Sequence, residues 1–244
     1  MIDQTMSVQK WGGRIWSQNG EDVLIKNIFD QLKIEHPSYI DIGAHSPSTI
    51  SNTKMLYSSG SNGINIEANP RLIENFYRER PNDINLHYGV IPNYSHKEWA
   101  PHQTRTFYYL DEWSAINTFD KEQLEAFVAS NPGFEIHTMD VPVIGLKHII
   151  DTYWCGQKTK WPDFLNIDVE GLDYAILSEV DLIDGPIIIC VECLSSTKKM
   201  NTLMYGNEYV PFFRCDINQI YMKKKYYELY QYIIHDAVSY ETNT

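Results

Sequence analysis

The chain has 244 residues, 43% of them hydrophobic and 21% charged, and carries a net charge of −12. This is an ordinary globular composition, long enough for a single domain over 1–244 with a continuous core. The acidic balance argues against nucleic acid as the main partner, and no apolar run approaches the roughly 20 residues of a membrane-spanning helix. The opening MIDQTMSVQKW lacks the basic-then-apolar order of a signal peptide, and four cysteines suit a reducing compartment, so a cytoplasmic protein is expected.

In chain order, residues 1–36 read as an N-terminal helical segment. Its amphipathic helix runs from Gly20 to Leu32, with Leu24, Ile25, Ile28, Phe29 and Leu32 at helical spacing. Glu21 and Asp22 fall in its first turn, where the helix dipole favours anions. A strand is expected at Tyr39–Ile42, then a helix from Thr49 to Ser59 that stops at Gly60. A second strand follows at Gly63–Glu67. Asn69 reads as an N-cap and Pro70 as the first residue of a helix that ends by Pro81. A third strand is expected over Ile84–Val90.

Residues 93–140 read as an insertion, rich in aromatic side chains (Tyr94, Trp99, Phe107, Tyr108, Tyr109 and Trp113) and interrupted by a helix at Lys121–Ala129. Such a segment is either a lid over the acceptor or a packing cover for the sheet. A strand at His137–Val143 and a helix at Leu146–Tyr153 come next. A strand at Phe164–Asp168, a crossover helix at Leu172–Val180 and a strand at Ile187–Glu192 follow. Phe212–Cys215 and Gln219–Met222 suggest an antiparallel pair, before a tyrosine-rich helix and a polar tail. The expected class is α/β: a mostly parallel Rossmann-like sheet with helices on both faces and an antiparallel C-terminal hairpin.

Two strand ends carry the chemistry. Asp41-Ile42-Gly43-Ala44-His45 closes one apolar run, and Ile64-Asn65-Ile66-Glu67 closes the next. Open α/β sheets bind ligands at the carboxyl ends of their strands, and an acidic residue about twenty positions after the first turn can accept hydrogen bonds from a ribose diol. The first turn has one glycine rather than G-x-G-x-x-G, so it offers no phosphate cradle. S-adenosylmethionine fits that pattern, since it has a ribose, no phosphate and a sulfonium cation that favours acidic walls.

A second acidic cluster lies in Leu165-Asn166-Ile167-Asp168-Val169-Glu170-Gly171. Asp168 is expected at a strand tip facing the same crevice. Glu170 either points into the pocket or caps the next helix, and Gly171 permits the tight turn between them. A hard cation bridging Asp168, Glu170 or Glu192 is the alternative use of these carboxylates. Cys190-x-x-Cys193 lacks a second ligand pair and reads as core.

Six blocks together resemble the FkbM-type methyltransferases: S-Q-N-G-E-D from Ser17, D-I-G-A-H from Asp41, S-N-T from Ser51, G-I-N-I-E-A-N-P from Gly63, P-D-F-L-N-I-D-V-E-G-L-D from Pro162, and I-C-V-E around Cys190. The resemblance implies methyl transfer from S-adenosylmethionine, usually to a hydroxyl of a sugar or secondary metabolite. It implies that Asp41, Gly43 and Ala44 line the methionine end of the cofactor, that Glu67 holds the ribose and that Asn69 sits near the adenosine. Asn52 and Asp168 join the expected cofactor contacts. The D-V-E-G block would border a small-molecule or glycan acceptor. The chain departs from the family's pattern at Ser46-Pro47-Ser48, where many members have a further glycine, and at His45, where many have asparagine. A sugar hydroxyl is a poor nucleophile, so a general base is expected: Asp168 first, then Glu170, then His45. The rivals are another small metabolite or a protein as acceptor, and a catalytically silent nucleoside-binding module.

Overall fold

The computed structural model describes residues 15–92, 103–111, 113–193 and 197–241. The first half of the chain contains α1 (Glu21–Gln31), β1 (Tyr39–Ile42), α2 (Lys54–Ser58), β2 (Gly63–Glu67), α3 (Pro70–Glu79), β3 (Ile84–His87), β4 (Gly89–Val90) and β5 (Thr104–Tyr109). The second half adds α4 (Lys121–Ser130), β6 (His137–Ile144), α5 (Leu146–Tyr153), β7 (Phe164–Ile167), α6 (Asp173–Leu177), β8 (Ile188–Glu192), α7 (Thr197–Gly206), β9 (Tyr209–Cys215), β10 (Asn218–Lys223) and α8 (Lys224–Glu241).

Every residue of β1, β2, β7 and β8 is buried, which is why each reads as a near-continuous apolar run. They lie in a seven-stranded sheet of order β3-β2-β1-β7-β8-β10-β9. The first five strands in that order pair in parallel, and β10 is antiparallel to both β8 and β9. Strand order reverses at β1, so the ligand crevice of an open α/β sheet falls at the carboxyl ends of β1 and β7. Alternation sorts the side chains onto two faces. Ile40, Ile42, Ile64, Ile66, Leu165, Ile167, Ile189 and Val191 pack with Leu146 and Ile149 of α5, Ile176 of α6 and Met200 of α7. Tyr39, Phe164, Ile188 and Ile220 pack on the other face with Ile25, Ile28 and Phe29 of α1 and Tyr230 of α8.

That second face also carries a polar row. Asn85, Asn65, Asp41, Asn166 and Cys190 are register partners across β3, β2, β1, β7 and β8. The Asn166 amide donates to Asp41 at 2.8 Å, and the Asn65 amide donates to Asn85 at 2.8 Å. Above the row lies the fully buried Arg80 guanidinium. It donates to the Pro47 carbonyl through two nitrogens, to the hydroxyls of Ser51 and Thr53 and to Asn65 Oδ1. Thr53 in turn donates to Asp41 at 2.6 Å. Burial pushes the Asp41 carboxyl above its ordinary range, and Thr53, Arg80 and Asn166 oppose that rise.

This network explains one departure from the sequence expectation. The helix expected from Thr49 begins only at Lys54, because Pro47, Ser51 and Thr53 are held by Arg80 and Ile50 has φ 53°. The third expected strand is broken at Tyr88. Its first part stays in the main sheet, and Gly89–Val90 pairs instead with β6 in a separate three-stranded sheet, β4-β6-β5. Strand β5 and helix α7 were not expected: the first is hidden in an aromatic polar run, the second in a polar one with few apolar anchors. Helix α6 is shorter than expected, and Lys223, which reads as part of a solvated basic spot, is buried and donates to the carbonyls of Leu182 and Asn207. Tyr94, Trp99 and residues 1–14 lie outside the described residues. Among the described residues, no helix is long and apolar enough to cross a membrane.

Arg80→Leu removes every donor to these buried acceptors. An unpaired buried polar group costs about 1–3 kcal/mol, so the variant should lose at least about 3 kcal/mol in denaturant melts. A loss below about 1 kcal/mol would mean that water replaces the guanidinium without penalty.

Candidate active site

Gly43 follows β1 with φ +73°, a backbone conformation that favours glycine. A Cβ placed there would stand 1.8 Å from the Asp168 carbonyl oxygen, so the tips of β1 and β7 meet only because position 43 has no side chain. The N–H groups of Gly43 and Ala44 both donate to the Ile66 carbonyl, and the Asp168 N–H donates to the Ile42 carbonyl. These bonds lock three strand ends together.

The next N–H, of His45, donates to Glu67 Oε2, while the N–H of Asn69 donates to Glu67 Oε1, both at 2.8 Å. Glu67 is therefore gripped at the tip of β2 with a fixed orientation. Burial pushes its carboxyl up, and the two N–H groups and His45 pull the other way. Asn69 also caps α3, accepting from the Arg71 N–H at 3.0 Å. His45 Nε2 lies 3.0 Å from the Trp113 carbonyl and is thus the protonated nitrogen. Its buried Nδ1 is left as an acceptor without a partner among the described residues.

The crevice has two halves that share Gly43, His45, Ala115, Asp168 and Glu170. Glu67, Asn69, Leu72, Tyr88, Val90 and Phe107 line the first. Gln18, Asp41, Ala44, Asn52, Asn166, Glu192 and Asn218 line the second. All nine residues expected from sequence to bind the cofactor or act in catalysis thus border one cavity, whereas the aromatic Tyr109 and Trp113 line a separate hollow with His137. Asp41 is the exception in kind, because it forms the buried floor rather than a strand-end wall and is already bonded to Thr53 and Asn166. Among the described residues, neither half is lined by lysine or arginine.

Carboxylates crowd the shared wall. Oxygens of Asp168, Glu170 and Glu192 lie within 4.8 Å of one another, close enough to hold a divalent cation. Burial, then repulsion from Glu192 and Asp41, pushes Asp168 up to about 7. Burial, then Asp168 and Glu192, pushes Glu170 up to about 9. Burial, then Asp173, pushes Glu192 up to about 7. Asp173, also raised to about 7 by burial and Asp168, lies in the first turn of α6, a helix without a side-chain cap. It accepts from the N–H groups of Val169 and Gly171. Glu170 instead accepts from Gln123 of α4 at 3.0 Å, and its carbonyl accepts from Thr118. The insertion is thereby seated on the strand-end loop.

Sequence reasoning did not single out Gln18, Asn166, Asn218 or Tyr88. A signal for Asn166 was present: Ile-Asp-Ile, Ile-Asn-Ile and Leu-Asn-Ile set one polar residue at the matching position of β1, β2 and β7. Gln18 and Asn218 are brought to the crevice by tertiary packing alone.

The reversed strand order at β1, the single-glycine turn and the gripped carboxylate at the tip of β2 define a Rossmann-like methyltransferase. Residues 41–221 match the Methyltransferase FkbM domain, and the chain belongs to that family. The protein is accordingly an S-adenosylmethionine-dependent methyltransferase. No curated protein and no solved structure matches it. The donor set fits the cofactor: carboxylates and amides, with no lysine or arginine among the described residues, suit a ligand with a sulfonium, an ammonium and no phosphate.

Crowded carboxyls carry a stability signature. Folding raises their pKa values above those of the unfolded chain, so the folded state gains protons relative to the unfolded one. That stabilisation is complete below about pH 4 and is lost as pH rises through about 7 to 9. Asp168→Asn should therefore melt higher than the wild type at pH 8.5, by about 2–4 °C for each kcal/mol of relieved repulsion. The two should converge near pH 4.5. Equal melting temperatures across this range would show that the carboxylates do not repel one another.

Proposed function

We propose that this methyltransferase transfers the methyl group to a hydroxyl of a sugar or glycan acceptor. The observation that carries the reading is the union, across one crevice, of the gripped Glu67 with a crowded carboxylate wall beneath an aromatic insertion. Glu67 would hold the ribose hydroxyls, Asn69 would border the adenosine, and Asp41, Gly43, Ala44 and Asn52 would line the methionine end. When bound, the cofactor supplies an electrophilic methyl group on a good leaving group. The chain's own part is to align the acceptor, exclude water and take up the hydroxyl proton. Asp168 is the preferred base, since it sits on the wall shared by both halves and its pKa near 7 suits proton uptake. Glu170, tied to Gln123, and His45, through its free Nδ1, stand beside it.

The insertion supports a sugar. Trp113 is 62% exposed, and Tyr109 packs against His137 with ring centroids 5.4 Å apart. Flat apolar rings with polar edges suit sugar faces. The insertion's Phe107 packs with Val141 and Ala68 beside Glu67, so the insertion would cover the crevice as a lid. A cytoplasmic setting is part of the same proposal, and four free thiols are compatible with it.

Two measurements test this. In calorimetry the protein should bind S-adenosylmethionine in preference to NAD, and Glu67→Ala should weaken that binding by about 1.5–3 kcal/mol, as for a hydrogen bond to a charged group. Tight NAD binding with no response to the methyl donor would sink the cofactor assignment. Labelled cofactor should methylate members of a panel of sugars and polysaccharides, with kcat/KM rising as pH passes about 7. Asp168→Asn should lower turnover by roughly 10²–10⁴-fold with little change in cofactor affinity. Loss of turnover on chelation, restored by magnesium, would replace the base with a shared cation. Labelling of small metabolites or proteins alone would displace the sugar, and cofactor binding without turnover on any acceptor would favour the silent module.

A further inference from the structure

An acidic crevice creates a problem for one part of its own cofactor. The methionyl end carries a carboxylate, and the half of the crevice near Asp41 and Ala44 presents Asp168, Glu170 and Glu192 but, among the described residues, no lysine or arginine. The loop cannot supply the missing donors. The N–H groups of Gly43 and Ala44 are committed to the Ile66 carbonyl, that of His45 to Glu67, and that of Asp168 to the Ile42 carbonyl. The asparagine amides are engaged as well. Asn52 donates to Asn166, Asn166 to Asp41 and Asn218 to Glu21.

Gln18 differs. It lines the same half, and among the described residues its side-chain amide has no hydrogen-bond partner. Its backbone is nevertheless held on both sides. Asp22 accepts from the Trp16 N–H and the Ser17 hydroxyl, and the Gly20 N–H donates to the same hydroxyl. Glu21 accepts from the Asn19 N–H and from Asn218 of β10, and the Ser51 N–H donates to the Trp16 carbonyl. The side chain itself is exposed, so its amide can turn toward a ligand from a backbone that is fixed in place. It also lies outside the residues matched by the family domain.

We propose that Gln18 is a cofactor-binding residue whose amide N–H holds the carboxylate of S-adenosylmethionine. This rests on the cofactor reading above. A neutral donor is the consistent choice here, because a cation at this position would pair with the carboxylates that the acceptor needs. Charge-assisted hydrogen bonds are the stronger kind, so one such bond is worth about tenfold in affinity.

The test is calorimetry on the full chain without acceptor, using S-adenosylmethionine and its decarboxylated analogue, which keeps the ammonium and sulfonium groups. Gln18→Ala should weaken S-adenosylmethionine by about tenfold and the analogue by less than about twofold. Gln18→Glu, which sets like charges together, should weaken S-adenosylmethionine further and leave the analogue unharmed. The melting temperature of both variants should match the wild type, since the side chain bonds to nothing in the fold. Equal losses for both ligands would overturn the proposal, as would unchanged affinity with a raised acceptor KM. Failure of the wild type to bind either ligand would instead bring down the cofactor reading, and this proposal with it.

Discussion

Much of this molecule hangs on one buried cation. The Arg80 guanidinium sits beneath the loop that follows β1 and holds it through Pro47, Ser51 and Thr53. Through Asn65 and Thr53 it also reaches the polar row that crosses the sheet. A row of amides and a carboxylate inside an apolar sheet is costly unless every group is bonded. Here each neighbour answers the next, so a slip of one residue in β1, β2 or β7 would break the row as well as invert the apolar faces. The same bonds that satisfy the row define the path of the loop, and the loop forms one wall of the crevice.

The second constraint is the contact at the strand-order switch. Gly43 lets the backbone of β1 touch that of β7 at Asp168. That contact sets Glu67, gripped by two N–H groups, across from a wall of carboxylates with no lysine or arginine beside it among the described residues. The site therefore stores unfavourable charge. A cationic ligand would relieve it, and so would uptake of a proton by any of these carboxylates. Stability given up in the free protein is recovered in function.

The insertion is tied to this wall rather than merely laid over it. Gln123 and Thr118 bond to Glu170, the Trp113 carbonyl meets His45, and Phe107 packs with Phe119 at 4.9 Å. A Cβ on Gly171 would lie 2.5 Å from the Gln123 side chain, so the close seating depends on that glycine too. Any shift of the aromatic segment would be felt at Glu170 and His45, two of the three groups proposed as the base.

Local chemistry determined a great deal. Tyr39–Ile42 and Gly63–Glu67 could be read to the residue because strands buried on both faces are continuous apolar runs, and Asn69-Pro70 marked a helix start through its own capping bond. Gly43, Glu67 and Asp168 could be placed at the crevice because strand tips in such sheets face it, whereas Asp41 forms the buried floor, bonded to Thr53 and Asn166. Long-range pairing decided the rest. The run from Ile84 to Val90 splits between two sheets because Gly89 and Val90 find a partner in β6, far along the chain. Glu170 bonds to Gln123, a residue of another element, and α6 is left without a side-chain cap. Gln18 and Asn218 joined the site only when α1 docked on β10. Periodicity and capping act over a few residues and are written in the sequence. Which distant donor meets which acceptor depends on the packed sheet, and only the tertiary structure decided it.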